Sequence, residues 1–349
     1  MQQRLNLRQQ RNDDSRRRAL VWLAVFAFAL LGAHCSRAQA QPVKRAPLTV
    51  ATLNRAALQA QLDAGACTIP VGATTIDGPL YVRSRSMLRG SGLASEIKLT
   101  GGGEWAVIVA PGRGSLYGAY LDSVSITGGG VLWTEFAQHC GMDRVWVSAA
   151  PGDGVRLQGD GERLRIRDCV SWENGGAGFA VRCSSSNNGI VLEHCNAQGN
   201  RAEGIVLETT ADGAGVSLCV IDDCTVQGNG GAQVRVSGYV TSLAIRDSWI
   251  ECTAPGAIGI LAEATPAAPP RTSPWRPSGL TISGQTQVAL IARAVVLRDA
   301  PAVTIDALSV FPATAAVEYD VWQPAGDMRR LGRGQLRRAE PDVLGATAK

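Results

Sequence analysis

Asp168, His194 and Asp223, with Arg167 beside the first, are the side chains of this 349-residue sequence best suited to proton transfer. Histidine changes charge near neutrality, and carboxylates next to it can serve as an acid and a base. Only His139 and His194 remain beyond the first 40 residues, so a histidine among acids is uncommon here. The three candidates lie 26 and 29 residues apart. No single helix or strand spans such gaps, so a repeating architecture must bring them together. Acids clustered in this way could also take Ca²⁺ through oxygen ligands. No cysteine spacing has the form of a zinc site.

The repeat is present. With Cys169 as reference, Val145, Cys195, Cys224 and Ser248 hold the same place at intervals of 24, 26, 29 and 24 residues. Nine positions after each comes Gly154, Gly178, Gly204, Gln233 or Ala257. An apolar pair at alternate positions follows: Val155 and Leu157, Phe179 and Val181, Ile205 and Leu207, Val234 and Val236, Ile258 and Ile260. A period near 25 built from short alternating runs with Gly or Asn between them predicts a parallel β-solenoid. One coil cannot bury its inward residues, and stacking coils closes the core. Helical repeats are excluded by the lack of apolar spacing at three and four.

Stacked strands lie about 4.8 Å apart, so equivalent residues form columns along the axis. Cys169, Cys195 and Cys224 are expected as an inward ladder of free thiols. Asn174, Asn200 and Asn229 are expected as a turn ladder, where an Asn tolerates the left-handed bend and stacked amides bond from coil to coil. Arg144, Asp168, His194, Asp223 and Asp247 form one charged column, and Asp143, Arg167, Glu193, Asp222 and Arg246 its neighbour. Asp168 and Asp223 would stand about 9.6 Å apart on their rungs, near the separation of an inverting glycosidase, while adjacent acids suit the retaining arrangement. A lyase or epimerase would instead need a base at the sugar's C5 proton and cations on the uronate carboxylate, for which Arg144, Arg165, Arg167 and Arg246 are available. Alternating opposite charges are also what solvated ladder pairing looks like. Trp133, Trp146, Trp172, Trp249 and Trp275 could stack on sugar rings, Trp146 and Trp172 most directly. The catalytic candidates are thus Asp168, His194, Asp223 and Arg167; the substrate-contact candidates are Trp146, Trp172, Arg144 and Arg165.

Composition agrees with an all-β chain: forty glycines against 5% aromatic residues favour tight turns over helices packed on large rings. Residues 1–40 read as an export signal, with Arg16-Arg17-Arg18, an apolar run from Ala19 to Ala33 and Ala38-Gln39-Ala40 as the cleavage site. "SRRRAL" resembles a twin-arginine signal, and ordinary secretion fits as well. The run is too short for a membrane span. The segment carries seven of the 34 basic and two of the 30 acidic residues, leaving 27 basic and 28 acidic, a net charge of −1. That balance argues against nucleic acid as a partner. The expected organisation is a signal over 1–40, a β-helix domain over 41–325 with a proline-rich loop insertion at 263–278, and a basic flexible tail over 326–349. An exported protein of this kind is periplasmic or extracellular.

The stretch "LQAQLDAGACTIPVGATTIDGPLYVRSRSMLRGSGLASEIKL", residues 58–99, resembles the opening of pectate-lyase-type right-handed parallel β-helix proteins. That superfamily also holds polygalacturonases, phage tailspike depolymerases and mannuronan epimerases. The resemblance implies a single right-handed parallel β-helix with a short N-terminal capping helix that covers the open sheet edge. It further implies a polysaccharide partner, with a lyase or glycoside hydrolase activity, and it admits a homotrimer. The polygalacturonase paired-aspartate signature, the epimerase "DPH" and the lyase "RxPxxR" are all missing, so no residue role is carried over. A fold does not supply an activity. The opposing expectation is a non-catalytic secreted scaffold or carbohydrate-binding surface protein.

Overall fold

The computed structural model describes residues 54–311, apart from 113, 137–138, 211–213, 265–276, 292, 299, 301 and 306–307, together with strands Ala316–Asp320 and Gln335–Arg338. Residues 1–40, expected to be an export signal, and most of the proline-rich stretch 263–278, Trp275 included, lie outside the described residues, as does most of 326–349, where Gln335–Arg338 pairs in parallel with Ala316–Asp320. The fold is all-β, a right-handed parallel β-solenoid. Its described helix, α1 (Arg55–Asp63), starts at Asn54, whose side-chain oxygen accepts from Ala57 N at 2.9 Å. That cap satisfies one of the free N–H groups of the first turn. Leu58 and Leu62, four apart on one face, are buried in the same core as the first strands. Among the described residues no helix is long and apolar enough to cross a membrane.

One coil shows the plan. Arg165–Arg167 and Val170–Trp172 belong to an 18-stranded sheet, Phe179–Cys183 to an 11-stranded sheet, and Ser186–Asn188 to a 4-stranded one. Each strand pairs in parallel with its equivalent one coil away. Arg167 thus registers with Asp143 and Glu193, and Val170 with Trp146 and Asn196. Arg165–Arg167 and Val170–Trp172 keep only their middle side chain inside: Ile166 and Ser171 are fully buried. Alternation decides this, because successive side chains point to opposite faces.

The expected columns hold through Val234, then slip. Val234 pairs with Ile260 instead of Ile258, because the turn before that strand is two residues longer. A slip of two preserves the face, so the apolar side stays inward. Trp133 departs from its expected role as a sugar contact. It pairs with Leu157 and has no solvent exposure, so it is a core residue.

The asparagine ladder forms, for a reason different from the expected one. The left-handed residues at that bend are Glu173, Gly199 and Gly228, one position earlier. The amides instead stitch coils together. Asn174 Nδ2 donates to Asn200 Oδ1 at 2.9 Å, and Asn200 Nδ2 donates to Asn229 Oδ1 at 2.9 Å. Gln233 ends the chain by accepting from Asn229 Nδ2 at 2.8 Å. Gly154, Gly178 and Gly204 face this ladder. A Cβ on Gly178 would lie 2.6 Å from Gly204 O and 2.8 Å from Asn200 Nδ2. Gly178→Ala is therefore expected to cost about 1–3 kcal/mol by overpacking, read as a lower urea midpoint with unchanged slope.

All eight described cysteines are free and buried. Burial, with Cys169 as a hydrogen-bonding neighbour, pushes the Cys195 thiol well up; the Cys195 thiol and burial do the same for Cys224. Burial pushes Cys183 and Cys219 from the ordinary 9.0 up to about 12. A reagent cannot reach a buried sulfur, so iodoacetamide at about pH 8 should leave all eight unlabelled in the native protein and reach them only in denaturant. Stability should also fall as pH rises from about 9 toward 12, because the unfolded chain loses thiol protons that the folded chain keeps.

Candidate functional site

The corner between Arg165–Arg167 and Val170–Trp172 turns on one left-handed residue per coil. Arg144, Asp168, His194, Asp223 and Asp247 all have φ between 47° and 52°. Asp and His tolerate that conformation better than most side chains, which accounts for their recurrence at this column. The sharp turn also throws the side chains outward. Asp168, His194 and Asp223 are exposed over 43, 49 and 67% of their side-chain surface.

The structure brings those three together. His194 Nδ1 stands 3.4 Å from Asp168 Oδ1, and His194 Nε2 stands 3.3 Å from Asp223 Oδ2. An ionised carboxylate only accepts hydrogen bonds, whereas a neutral imidazole has a single N–H. Both contacts are ion-pair distances between the ring and a carboxylate, and neither is a hydrogen bond in this structure. General acid–base chemistry requires a side chain that passes a proton to or from the reacting atoms, and an exposed imidazole flanked by two carboxylates is a group of that kind.

Arginines set the acids. Arg167 makes a two-pronged pair with Asp143 at 3.1 Å on both contacts and lies 3.5 Å from Asp168. The Asp143 hydrogen bond and charge hold the Arg167 guanidinium above its ordinary range. Arg246 grips Asp222 in the same way, at 2.7 and 2.9 Å, and is likewise raised. Arg144 binds Asp122 and Asp143, each at 2.6 Å, and Arg165 binds Glu193. The two arginines expected at substrate are thus engaged by carboxylates, and any ligand contact would use their remaining donors. Trp146 and Trp172 meet edge to face with centroids 5.8 Å apart. Trp172 and Trp249 keep 38% of their surface exposed. Among the described residues no group of three or more His, Cys, Asp or Glu is placed to hold a metal ion.

A second charged assembly escapes the column argument. On the outer face of the 11-stranded sheet, Asp153 is 3% exposed and accepts from Ala177 N at 2.8 Å while pairing with Arg156 at 2.8 Å and Arg182 at 3.3 Å. Arg182 continues to Glu208, and Arg235 to Glu203 and Glu263 at 3.3 and 3.0 Å. Burial works against the Arg235 charge, but Glu263, Glu208 and Glu203 outweigh it and raise its pKa. The signal was present in the sequence: Arg156, Arg182, Glu208, Arg235 and Glu263 occupy outward positions beside the apolar pairs. Each of these acids is matched by a guanidinium, and the sheet residues Ala180 and Val206 of the same outer column are nearly unexposed. The network is a charged cover for the sheet.

Comparisons with known proteins agree with this architecture. Residues 123–250 match the family model described as right handed beta helix region. The enzymatically active domain of tailspike protein 2 from bacteriophage CBA120 superposes with a TM-score of 0.55 at 11% identity, over 73% of this chain and 40% of that one. Pectate lyase Pel9A gives a TM-score of 0.50 at 13% identity, over 75% of this chain and 72% of that one. The chain thus spans well under half the length of the tailspike domain. A search of curated proteins finds no match. By its register, its coil plan and these likenesses, the chain has a right-handed parallel β-helix fold, similar to that of the pectate lyase and of the tailspike domain.

Proposed function

We propose that this is a secreted protein that binds a polysaccharide along the side of the solenoid and cleaves it, as a lyase or glycoside hydrolase. The observation that carries the reading is the placement of His194 between Asp168 and Asp223. Supporting it, the structural relatives include a pectate lyase and an enzymatically active tailspike domain. The export segment at residues 1–40 fits a substrate outside the cell.

In hydrolysis, one acid of the triad protonates the glycosidic oxygen as its bond to the anomeric carbon breaks, and the other takes a proton from the incoming water. In elimination, a triad base removes the C5 proton of a uronate, the C4–O bond breaks, and the leaving oxygen receives a proton. Arg167 positions Asp168, while Trp146 and Trp172 offer rings to the sugar and Arg144 and Arg165 flank the path. The left-handed backbone at every corner favours the alternative reading, a carbohydrate-binding protein without catalysis, because it explains Asp and His by turn geometry alone.

Incubation with uronate-containing and neutral polysaccharides, following reducing ends and unsaturated-product absorbance, separates the readings. New reducing ends without absorbance identify a hydrolase, and both together a lyase. Retained binding with neither signal identifies the non-catalytic protein.

A further inference from the structure

Around the corner from the charged triad, the strands Val170–Trp172, Asn196–Gln198, Thr225–Gln227 and Trp249–Glu251 lie side by side in register. Their middle residues Ser171, Ala197, Val226 and Ile250 are buried, so the flanking residues face outward. The two central rungs present Asn196, Gln198, Thr225 and Gln227. Trp172 bounds them on one side and Trp249 on the other, each 38% exposed.

Three observations single this face out. None of the four polar side chains has a hydrogen-bond partner among the described residues, and Asn196 Oδ1 is shielded from solvent as well. On the charged rungs across the corner, by contrast, the arginines are committed, Arg167 to Asp143 and Arg246 to Asp222. Next, the corner just beyond Gln198 and Gln227 is glycine in these two coils alone of the four central ones: Gly199 and Gly228, at φ 65° and 64°, replace Ala149 and Glu173. A Cβ on Gly199 would meet Glu173 Cγ at 3.4 Å and Trp172 Nε1 at 3.7 Å, and one on Gly228 would meet nothing within 4 Å, so the rim is open at Gly228. Finally, Trp249 is fixed by its Nε1 donating to Glu251 Oε2 at 2.8 Å.

We infer that this face is a binding site for a neutral glycan segment, running along the solenoid axis between Trp172 and Trp249. This rests on the reading of the protein as a polysaccharide binder and adds the substrate class and the location. Three rung spacings give a footprint about 14 Å long. Flat rings at its ends accept the apolar faces of sugars, and uncommitted amides and a hydroxyl between them match sugar hydroxyls, which both donate and accept. Charge selects the class. The four central side chains are uncharged, and the carboxylate nearest on this face is Glu251, so a uronate finds no cation here and an acid to repel it. The arginines beyond the corner are held by Asp143, Glu193 and Asp222.

Affinity electrophoresis of the full chain tests this, with dextran, soluble β-1,3-glucan and galactomannan as neutral probes and polygalacturonate and alginate as acidic ones. The expected result is retardation by at least one neutral probe that does not weaken with added salt. Trp249→Ala, and Gln198→Ala with Gln227→Ala, should each weaken it roughly tenfold. Arg246→Ala should leave it unchanged. These side chains are on the surface, and an unchanged urea midpoint verifies that each variant folds. Four results overturn the proposal: no retardation by any neutral probe, retardation insensitive to these variants, salt-sensitive retention of acidic probes alone, or an oligomer that Trp249→Ala dissociates. Retention or cleavage of acidic probes alone would sink this inference while leaving polysaccharide recognition standing. Neutral retention without cleavage would do the reverse to the proposed catalysis.

Discussion

Asn200→Ala is expected to lower the unfolding free energy by about 3–5 kcal/mol, from one exchange of an amide for a methyl. Asn200 accepts from Asn174 N at 3.1 Å and Asn174 Nδ2 at 2.9 Å, and donates to Ser171 O at 3.1 Å and Asn229 Oδ1 at 2.9 Å. The site is buried, with Asn174 0% and Asn229 2% exposed. After truncation, water cannot replace the missing partners. The Asn174 N–H is left without an acceptor, and a buried orphan of this kind costs about 1–3 kcal/mol. Asn229 Oδ1 keeps only the Asn200 N–H at 3.0 Å. Gln198→Ala, two residues away but outward-facing, should change stability by less than about 0.5 kcal/mol. Equal midpoints for the two variants in urea would show that the ladder does not hold the coils. Faster hydrogen exchange at the Asn174 amide would localise the damage.

His194→Asn is expected to lower product formation at least a hundredfold, within the span that positioned acid–base groups contribute. Asn keeps the left-handed backbone easily, so the corner survives while the titrating ring is lost. The unfolding midpoint should therefore stay close to that of the parent. Asp168→Asn and Asp223→Asn should each produce a comparable loss, and the double variant little more, because residues acting as a unit are not additive. Full activity in His194→Asn would reduce the triad to a surface ladder. The stability of the three single variants in the histidine column is then the useful control, since exposed ion pairs contribute little.

The candidate triad was legible in sequence because its three members share one offset from the reference position. A common offset in stacked coils means a common column, and the ladder spacing does the rest. The arginines illustrate the boundary of that argument. Arg144 has the right column and Arg165 an outward position on the strand beside it, yet each is taken by a carboxylate one coil away. Which neighbour a long side chain reaches is settled by rotamer and contact, and periodicity says nothing about either. Trp133 shows a misreading that parity could have avoided. It stands two residues after Val131 and registers with Leu157, an inward position. The neutral face was invisible for another reason: Asn, Gln and Thr at outward positions are unremarkable until the structure shows that no described side chain or backbone group bonds to them.

By itself the sequence determined the coil, its period, the inward residues and the thiol and asparagine columns. These follow from an alternation of two and a spacing near 25, which are one-dimensional properties of a chain that stacks on itself. Only the tertiary structure decided the rest. It placed the left-handed turn on Glu173, Gly199 and Gly228 and left the asparagines to bond between coils. It also absorbed two extra residues before Ile258 without exposing the core, closed a guanidinium–carboxylate cover over the long sheet, and set an imidazole between two carboxylates. The physical reason is the same in each case: those outcomes depend on distances between side chains on different coils, and such distances exist only once the coils are stacked.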